Sequence, residues 1–234
     1  MMVDGQQKQW MDGDAQMIKA VVFDFDGLIL DTESLWFDAY SAVYAEEGGV
    51  LPVEEWAKAV GTTFGVFDPY VYLESQIGKP VDRESIEARM KANYDQYVQQ
   101  LQLRPGVEDY LRDARQMGLR IGLSSSSSRE WVEGYLKQYG LRDYFEAIST
   151  SNDVAVVKPD PALYLRTMQL LGVTGAESLA FEDSLNGLRA AVAAGMHAVV
   201  VPNPITEHLA FENHRYRLSS MSELSLSELL KKLE

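Results

Sequence analysis

The 234-residue sequence predicts an α/β fold: a doubly wound parallel sheet with an inserted α-helical domain. Three observations predict it. Short apolar runs rich in β-branched and aromatic residues alternate with segments of helical spacing from Arg104 onward. Those runs are continuously apolar, as strands covered on both faces must be. The stretch from about Trp36 to Leu103 carries helical patterns and no buried strand. It is too long for one crossover, so it reads as an insert that leaves the core discontinuous in sequence.

The elements follow in order. Ile18 to Phe25 reads as the first strand. From Thr32 the spacing turns helical, with Leu35, Ala39, Ala42 and Val43 on one face and Gly48-Gly49 as the stop. Asp82 is an N-cap candidate for a helix whose Ile86, Met90, Tyr94, Tyr97 and Leu101 share a face. After Arg104-Pro105-Gly106 a helix (Val107, Tyr110, Leu111, Ala114) ends at Gly118, and Leu119 to Leu123 is a strand. Five serines precede a helix carrying Val132, Leu136 and Tyr139. Ala147-Ile148 is a short strand, and Asp160-Pro161 opens another helix. Ser178 to Phe181 is a strand, Leu185 to Ala194 a helix, and Ala198 to Val201 a strand stopped by Pro202. Leu224 to Leu233 reads as a final amphipathic helix.

Composition narrows the function. With 35 acidic and 21 basic side chains the formal charge is −14, which argues against a nucleic-acid partner. There are no cysteines, which excludes disulfides, thiolate catalysis and Cys-based metal sites. His197, His208 and His214 are too few and too scattered for a histidine metal centre and read as structural. No run is long and apolar enough to cross a membrane. Residues 1–16 are polar, lack the pattern of a signal peptide, and read as an arm outside the fold. The expected setting is cytoplasmic, with a monomer favoured over an obligate oligomer. Trp10, Trp36, Trp56 and Trp131 read as packing residues, Trp36 being the one placed to meet a ligand.

Parallel sheets of this kind bind ligands beyond the carboxyl ends of their strands, and the unusual polar residues fall there. Asp24 and Asp26 with Gly27 end the first strand, Ser124 and Ser125 the second. Lys158 follows the third, and Glu182-Asp183 end the fourth. Carboxylates at the end of an apolar strand are costly unless paired or metal-bound. Asp183 has a second reading as the cap of the next helix. Glu182 beside it makes an acidic pair that suits a hard cation. A phosphate dianion about 4 Å from a carboxylate is repelled by roughly 8 kcal/mol at an effective dielectric of about 20. A carboxylate nucleophile therefore needs cations: Mg²⁺ on Asp24 and Asp183 with a backbone carbonyl, and the ammonium of Lys158. Ser125 and Ser126 are placed to donate to phosphate oxygens. Asp24 then acts as nucleophile, and Asp26, two residues on, as general acid and base.

The segments Asp24-Phe25-Asp26-Gly27-Leu28-Ile29-Leu30-Asp31-Thr32-Glu33, Ser124-Ser125-Ser126, Lys158-Pro159-Asp160-Pro161 and Phe181-Glu182-Asp183-Ser184 resemble the haloacid dehalogenase superfamily. The similarity is strongest to its β-phosphoglucomutase-like phosphatases with a helical cap, and runs from about Ile18 to the end. It implies a Rossmann-like core (residues 17–35 and 104–234), a mobile cap (36–103) and Mg²⁺ dependence with the Asp26 carbonyl as a ligand beside Asp24 and Asp183; Glu182, from its acidic pairing, is a further candidate ligand whose direct contact is left open. Ser125, Ser126, Lys158 and Gly27 are the implied phosphate contacts; Trp36, Phe64, Lys79 and Tyr94 are candidate cap contacts. The mutases of this group carry a histidine where this chain has Trp36, and an arginine after the cap glycine where Gly61-Thr62-Thr63 leads to Phe64. Hydrolysis of a small phosphorylated metabolite, with a sugar phosphate as the leading case, is the resulting expectation. A phosphosugar mutase and a phosphoaspartate switch without turnover stand as alternatives. Asp26 argues against haloacid dehalogenation, whose halide leaving group needs no proton.

Overall fold

The structure is a computed structural model that describes residues 17–58, 60 and 67–233. Six strands, β1 (Ala20–Phe23), β2 (Arg120–Ser124), β3 (Ala147–Ser149), β4 (Ser178–Glu182), β5 (His197–Val200) and β6 (Tyr216–Arg217), form one sheet in the order β3-β2-β1-β4-β5-β6. All pairs are parallel. The predicted α/β class therefore holds. The two-residue edge strand β6 has no counterpart in the sequence reading, because so short an element carries no apolar period.

The period of two along β1 builds two cores. Val21 and Phe23 face one side, where they join Phe181, Tyr110, Leu111 and Leu136. Ala20 and Val22 face the other, with Tyr164, Leu171, Ala180 and Ala191. The first side is covered by α5 (Val107–Gln116), α6 (Arg129–Gln138) and α9 (Leu226–Leu233), the second by α7 (Ala162–Leu171) and α8 (Leu185–Ala193). Phe23 stacks on Phe181 at 5.0 Å, tying the two central strands on the first face.

Between β1 and α5 lie α1 (Thr32–Glu47), α2 (Val53–Trp56), α3 (Pro69–Ile77) and α4 (Arg83–Tyr97). Their N-caps follow from side-chain chemistry: Asp31, Asp68 and Asp82 each accept backbone amides of the helix they open. Gly48 closes α1 in the left-handed conformation, as the Gly48-Gly49 pair predicts. These helices bury their own apolar cluster, including Tyr40, Val43, Tyr44, Leu73, Ile86, Met90 and Tyr94. Leu101 lies past the end of α4, beyond a single 3₁₀ turn, so it does not share the helical face assigned to it. The chain leaves and re-enters the core at adjacent points. Leu30 pairs antiparallel with Leu103, and the Arg104 amide donates to the Ile29 carbonyl at 2.9 Å. α1 runs unbroken through residue 36. Its first turn therefore belongs to the site and its remainder to the helical cluster.

Leu73 is fully buried at the centre of that cluster. Leu73→Ala is expected to cost about 2–5 kcal/mol, read as a lower urea midpoint.

Candidate active site

The central strands β2, β1 and β4 end side by side, since Phe23 is in register with both Leu123 and Phe181. Asp24, Ser125 and Glu182-Asp183 follow directly. The Asp24 amide still bonds the Phe181 carbonyl at 3.0 Å, so its side chain emerges from a strand end already held in place. Lys158 reaches this edge from the loop after β3. It is 1% exposed, its ammonium hydrogen-bonds Asp24 Oδ1, and it lies 2.7 Å from Glu182 Oε1. Tyr164 of α7 donates its hydroxyl to the same Glu182 oxygen.

Glu182 was expected as a metal ligand. Its Oε1 is taken by Lys158 and Tyr164, and Gly187 approaches so closely that an added Cβ would fall 1.9 Å from its Oε2. Glu182 thus braces Lys158, and it also belongs to the carboxylate cluster in which it was expected to hold a metal. Asp183 is not the helix cap either. Ser184 caps α8 through the Gly187 amide, leaving Asp183 to receive Asn203 Nδ2 at 2.7 Å on one oxygen. The other, Oδ1, is buried with no hydrogen-bond partner. One oxygen each of Asp24, Glu182 and Asp183 lie within 4.8 Å of one another. A cluster of this kind, with one oxygen orphaned, fits a hard divalent cation.

Gly27 also departs from expectation. Its amide donates to Leu30 at 2.7 Å and is not available to a phosphate. With φ +79°, the residue passes so close to Asp183 that a Cβ would sit 2.1 Å from Oδ2. Its requirement for glycine is steric.

Asp26 stands in different surroundings. Four donors point at its carboxylate: Thr32 Oγ1 at 3.0 Å, Ser125 Oγ at 3.4 Å, Ser127 Oγ at 2.6 Å and the Trp131 indole Nε1 at 2.9 Å. The serine run divides its work. Ser124 is buried against Thr167, Ser125 and Ser127 meet Asp26, and Ser128 caps α6. Ser126 lines a cavity of about 300 Å³ together with Asp24, Asp26, Glu33, Trp36, Trp131 and the neighbouring serines. Its volume is at the small end for ligand pockets.

The cap candidates separate. Trp36 lines the cavity, and Tyr94 is buried behind it, stacked at 3.9 Å. Lys79 is far from it, exposed beside Glu47 at the opposite end of α1. Phe64, like residues 1–16 and Trp10, lies outside the described residues. Trp131, read from sequence as packing, makes a polar contact with Asp26 and lies 6.0 Å from Tyr94, bridging core and helical insert. Glu33, Asn203, Arg104 and Tyr164 were given no role at the site. Glu33 closes the first matching segment, at the second residue of α1, which is the one local signal among them. Arg104 donates to the carbonyls of Gly27, Val201 and Pro202 and so locks the loop under Asp183.

Burial, with Asp26 and Asp24 nearby, pushes the Glu33 carboxyl from the ordinary 4.5 up to about 8. Burial likewise raises Asp24, to about 7, against the pull of Lys158, and raises Asp183 well above the carboxylate range beside Asp24 and Glu182. Burial opposes the charge of Lys158, but the two carboxylates outweigh it and its pKa rises.

The family model for haloacid dehalogenase-like hydrolases matches residues 21–201, the span of this site. The chain belongs to that family. The putative phosphatase YhcW of Bacillus subtilis (strain 168) is 50% identical over 92% of this chain and 97% of its own. Hexitol phosphatase B of Escherichia coli (strain K12) is 33% identical over 92% and 98%. A crystal structure of CbbY from Rhodobacter sphaeroides, a mutant in complex with xylulose-(1,5)bisphosphate, is 29% identical with TM-score 0.72, covering 91% of this chain and 99% of that one. The chain is thus a hydrolase of this family, and its relatives place it with the phosphatases.

Two outcomes follow from the geometry. A group whose folded pKa is raised stabilises the fold at low pH and loses that contribution as pH climbs. The Tm of the metal-free protein should therefore fall between about pH 4.5 and 8, and Glu33→Gln should flatten the decline in melts with EDTA. Trp131→Phe keeps the ring and removes the N–H to Asp26. It should lower kcat about tenfold on an alkyl phosphate, which needs a proton donor, and less than about threefold on an aryl phosphate with a good leaving group.

Proposed function

We propose that this haloacid dehalogenase-like hydrolase is a Mg²⁺-dependent phosphatase that cleaves a small phosphorylated metabolite, a sugar phosphate in the best-fitting class, through an aspartyl-phosphate on Asp24. The observation that carries the reading is the contrast between two carboxylates at one strand end. Asp24 faces Lys158 and the acidic cluster, while Asp26 is surrounded by neutral donors. Such a pair supports one nucleophile and one proton carrier.

The orphaned Asp183 oxygen within a buried carboxylate cluster fits a magnesium ion. Asp24, Asp183 and the Asp26 carbonyl would hold it, and when bound it supplies positive charge to the phosphoryl group. Lys158 offsets further negative charge beside Asp24. Ser125 and Ser126 orient the phosphate oxygens. An Asp24 oxygen attacks phosphorus, the ester P–O bond breaks, and Asp26 gives its proton to the departing alkoxide. Asp26 then takes a proton from water, whose oxygen displaces Asp24 from phosphorus and releases inorganic phosphate. The helices α1–α4 act as a cap over this chemistry, with Trp36 on the substrate side and Tyr94 backing it. The protein acts as a cytoplasmic monomer. Among the described residues no helix is long and apolar enough to cross a membrane.

Phosphate release should drop at least about a thousandfold in Asp24→Asn and about 10²–10⁴-fold in Asp26→Asn, and should vanish in EDTA. Free phosphate as the main product supports the reading. An isomerised sugar phosphate supports a mutase, and a persistent phosphoprotein without turnover supports a switch.

A further inference from the structure

We propose that the cavity is specific for a single phosphoryl group on a neutral, hydroxylated carbon chain, and that it rejects a second phosphate. The inference rests on the phosphatase reading and names its substrate class. The described cavity lining consists of the carboxyls of Asp24, Asp26 and Glu33, four consecutive serines and two indoles. None of these residues is Lys, Arg or His.

The cations around the site are already committed. Lys158 is held between Asp24 and Glu182, where its charge serves the group being transferred. Arg104 is turned onto the backbone carbonyls of Gly27, Val201 and Pro202. Arg129, at the start of α6, bonds Asp153 and the Ile148 carbonyl. A second phosphate dianion is recognised through Arg or Lys. Here it would meet a carboxyl and two aromatic rings, none of which offers the positive charge it needs. Hydroxyl groups suit the same wall. Serine hydroxyls and a Glu33 carboxyl oxygen exchange hydrogen bonds with them, and the C–H faces of a carbon chain pack on Trp36 and Trp131. The same wall disfavours a mutase, whose intermediate must be held with two phosphates.

The test is kcat/KM for phosphate release from a hexitol monophosphate, a hexose monophosphate and the matching hexose bisphosphate, with p-nitrophenyl phosphate as control. The bisphosphate should be poorer than its monophosphate by at least about a hundredfold. Trp36→Arg, which places a cation on the wall, should raise the bisphosphate-to-monophosphate ratio by about tenfold or more. A bisphosphate turned over as well as its monophosphate, with p-nitrophenyl phosphate also hydrolysed, overturns this inference and leaves the phosphatase reading standing. No release from any of the four overturns both.

Discussion

An ammonium group with 1% exposure is tolerable only if its charge is met, and Lys158 is met on two sides, by Asp24 and Glu182. The rest of the site is arranged around that ion pair. Removing one partner of such a buried pair costs about 3–5 kcal/mol, because the other charge is stranded. Tyr164 and Gly187 serve it at second hand. The tyrosine hydroxyl completes the Glu182 carboxylate, and the missing Cβ of Gly187 leaves room for it. The pair also settles the direction of Asp24: with Oδ1 turned to Lys158, its carboxylate is held in place at the strand end.

One lysine cannot neutralise three buried carboxylates. Asp183 carries the excess, with Asn203 on one oxygen and nothing on the other, and its pKa rises accordingly. Buried unpaired polar atoms are rare in native folds and point to a missing partner. The loop that presents Gly27 to Asp183 is fixed by Arg104, which sits where the chain re-enters the core. The connection between the helical insert and the sheet therefore bears on the acidic cluster through Gly27.

Asp26 couples to the insert by another route. Trp131 holds its carboxylate and packs towards Tyr94, which stacks on Trp36 at the mouth of the cavity. A carboxylate tied in this way to residues of two layers is sensitive to how those layers meet.

The alternation of apolar strands and helices, the insert and the aspartate, serine, lysine and acidic motifs were legible in the sequence, because each is a local pattern of period, cap or spacing. Asp82 caps its helix as read from the sequence, while the caps Asp31 and Asp68 emerged only in the structure. What tertiary structure decided lies between distant residues. Trp131 and Asp26 are 105 positions apart, and Asn203 meets Asp183 from a different loop. No spacing rule reports such contacts. Glu182 gained a second role as brace because Tyr164 and Lys158 reach the same oxygen, and the Gly27 amide closes onto Leu30 where a phosphate contact was expected. Lys79 dropped out because it lies beside Glu47, a full length of α1 from the site. The chain by itself determined which chemical groups stand at the strand ends, since strand period and turn chemistry are local. Only the packed fold decided what each group faces, because burial and hydrogen-bond partners depend on which elements the sheet order brings together.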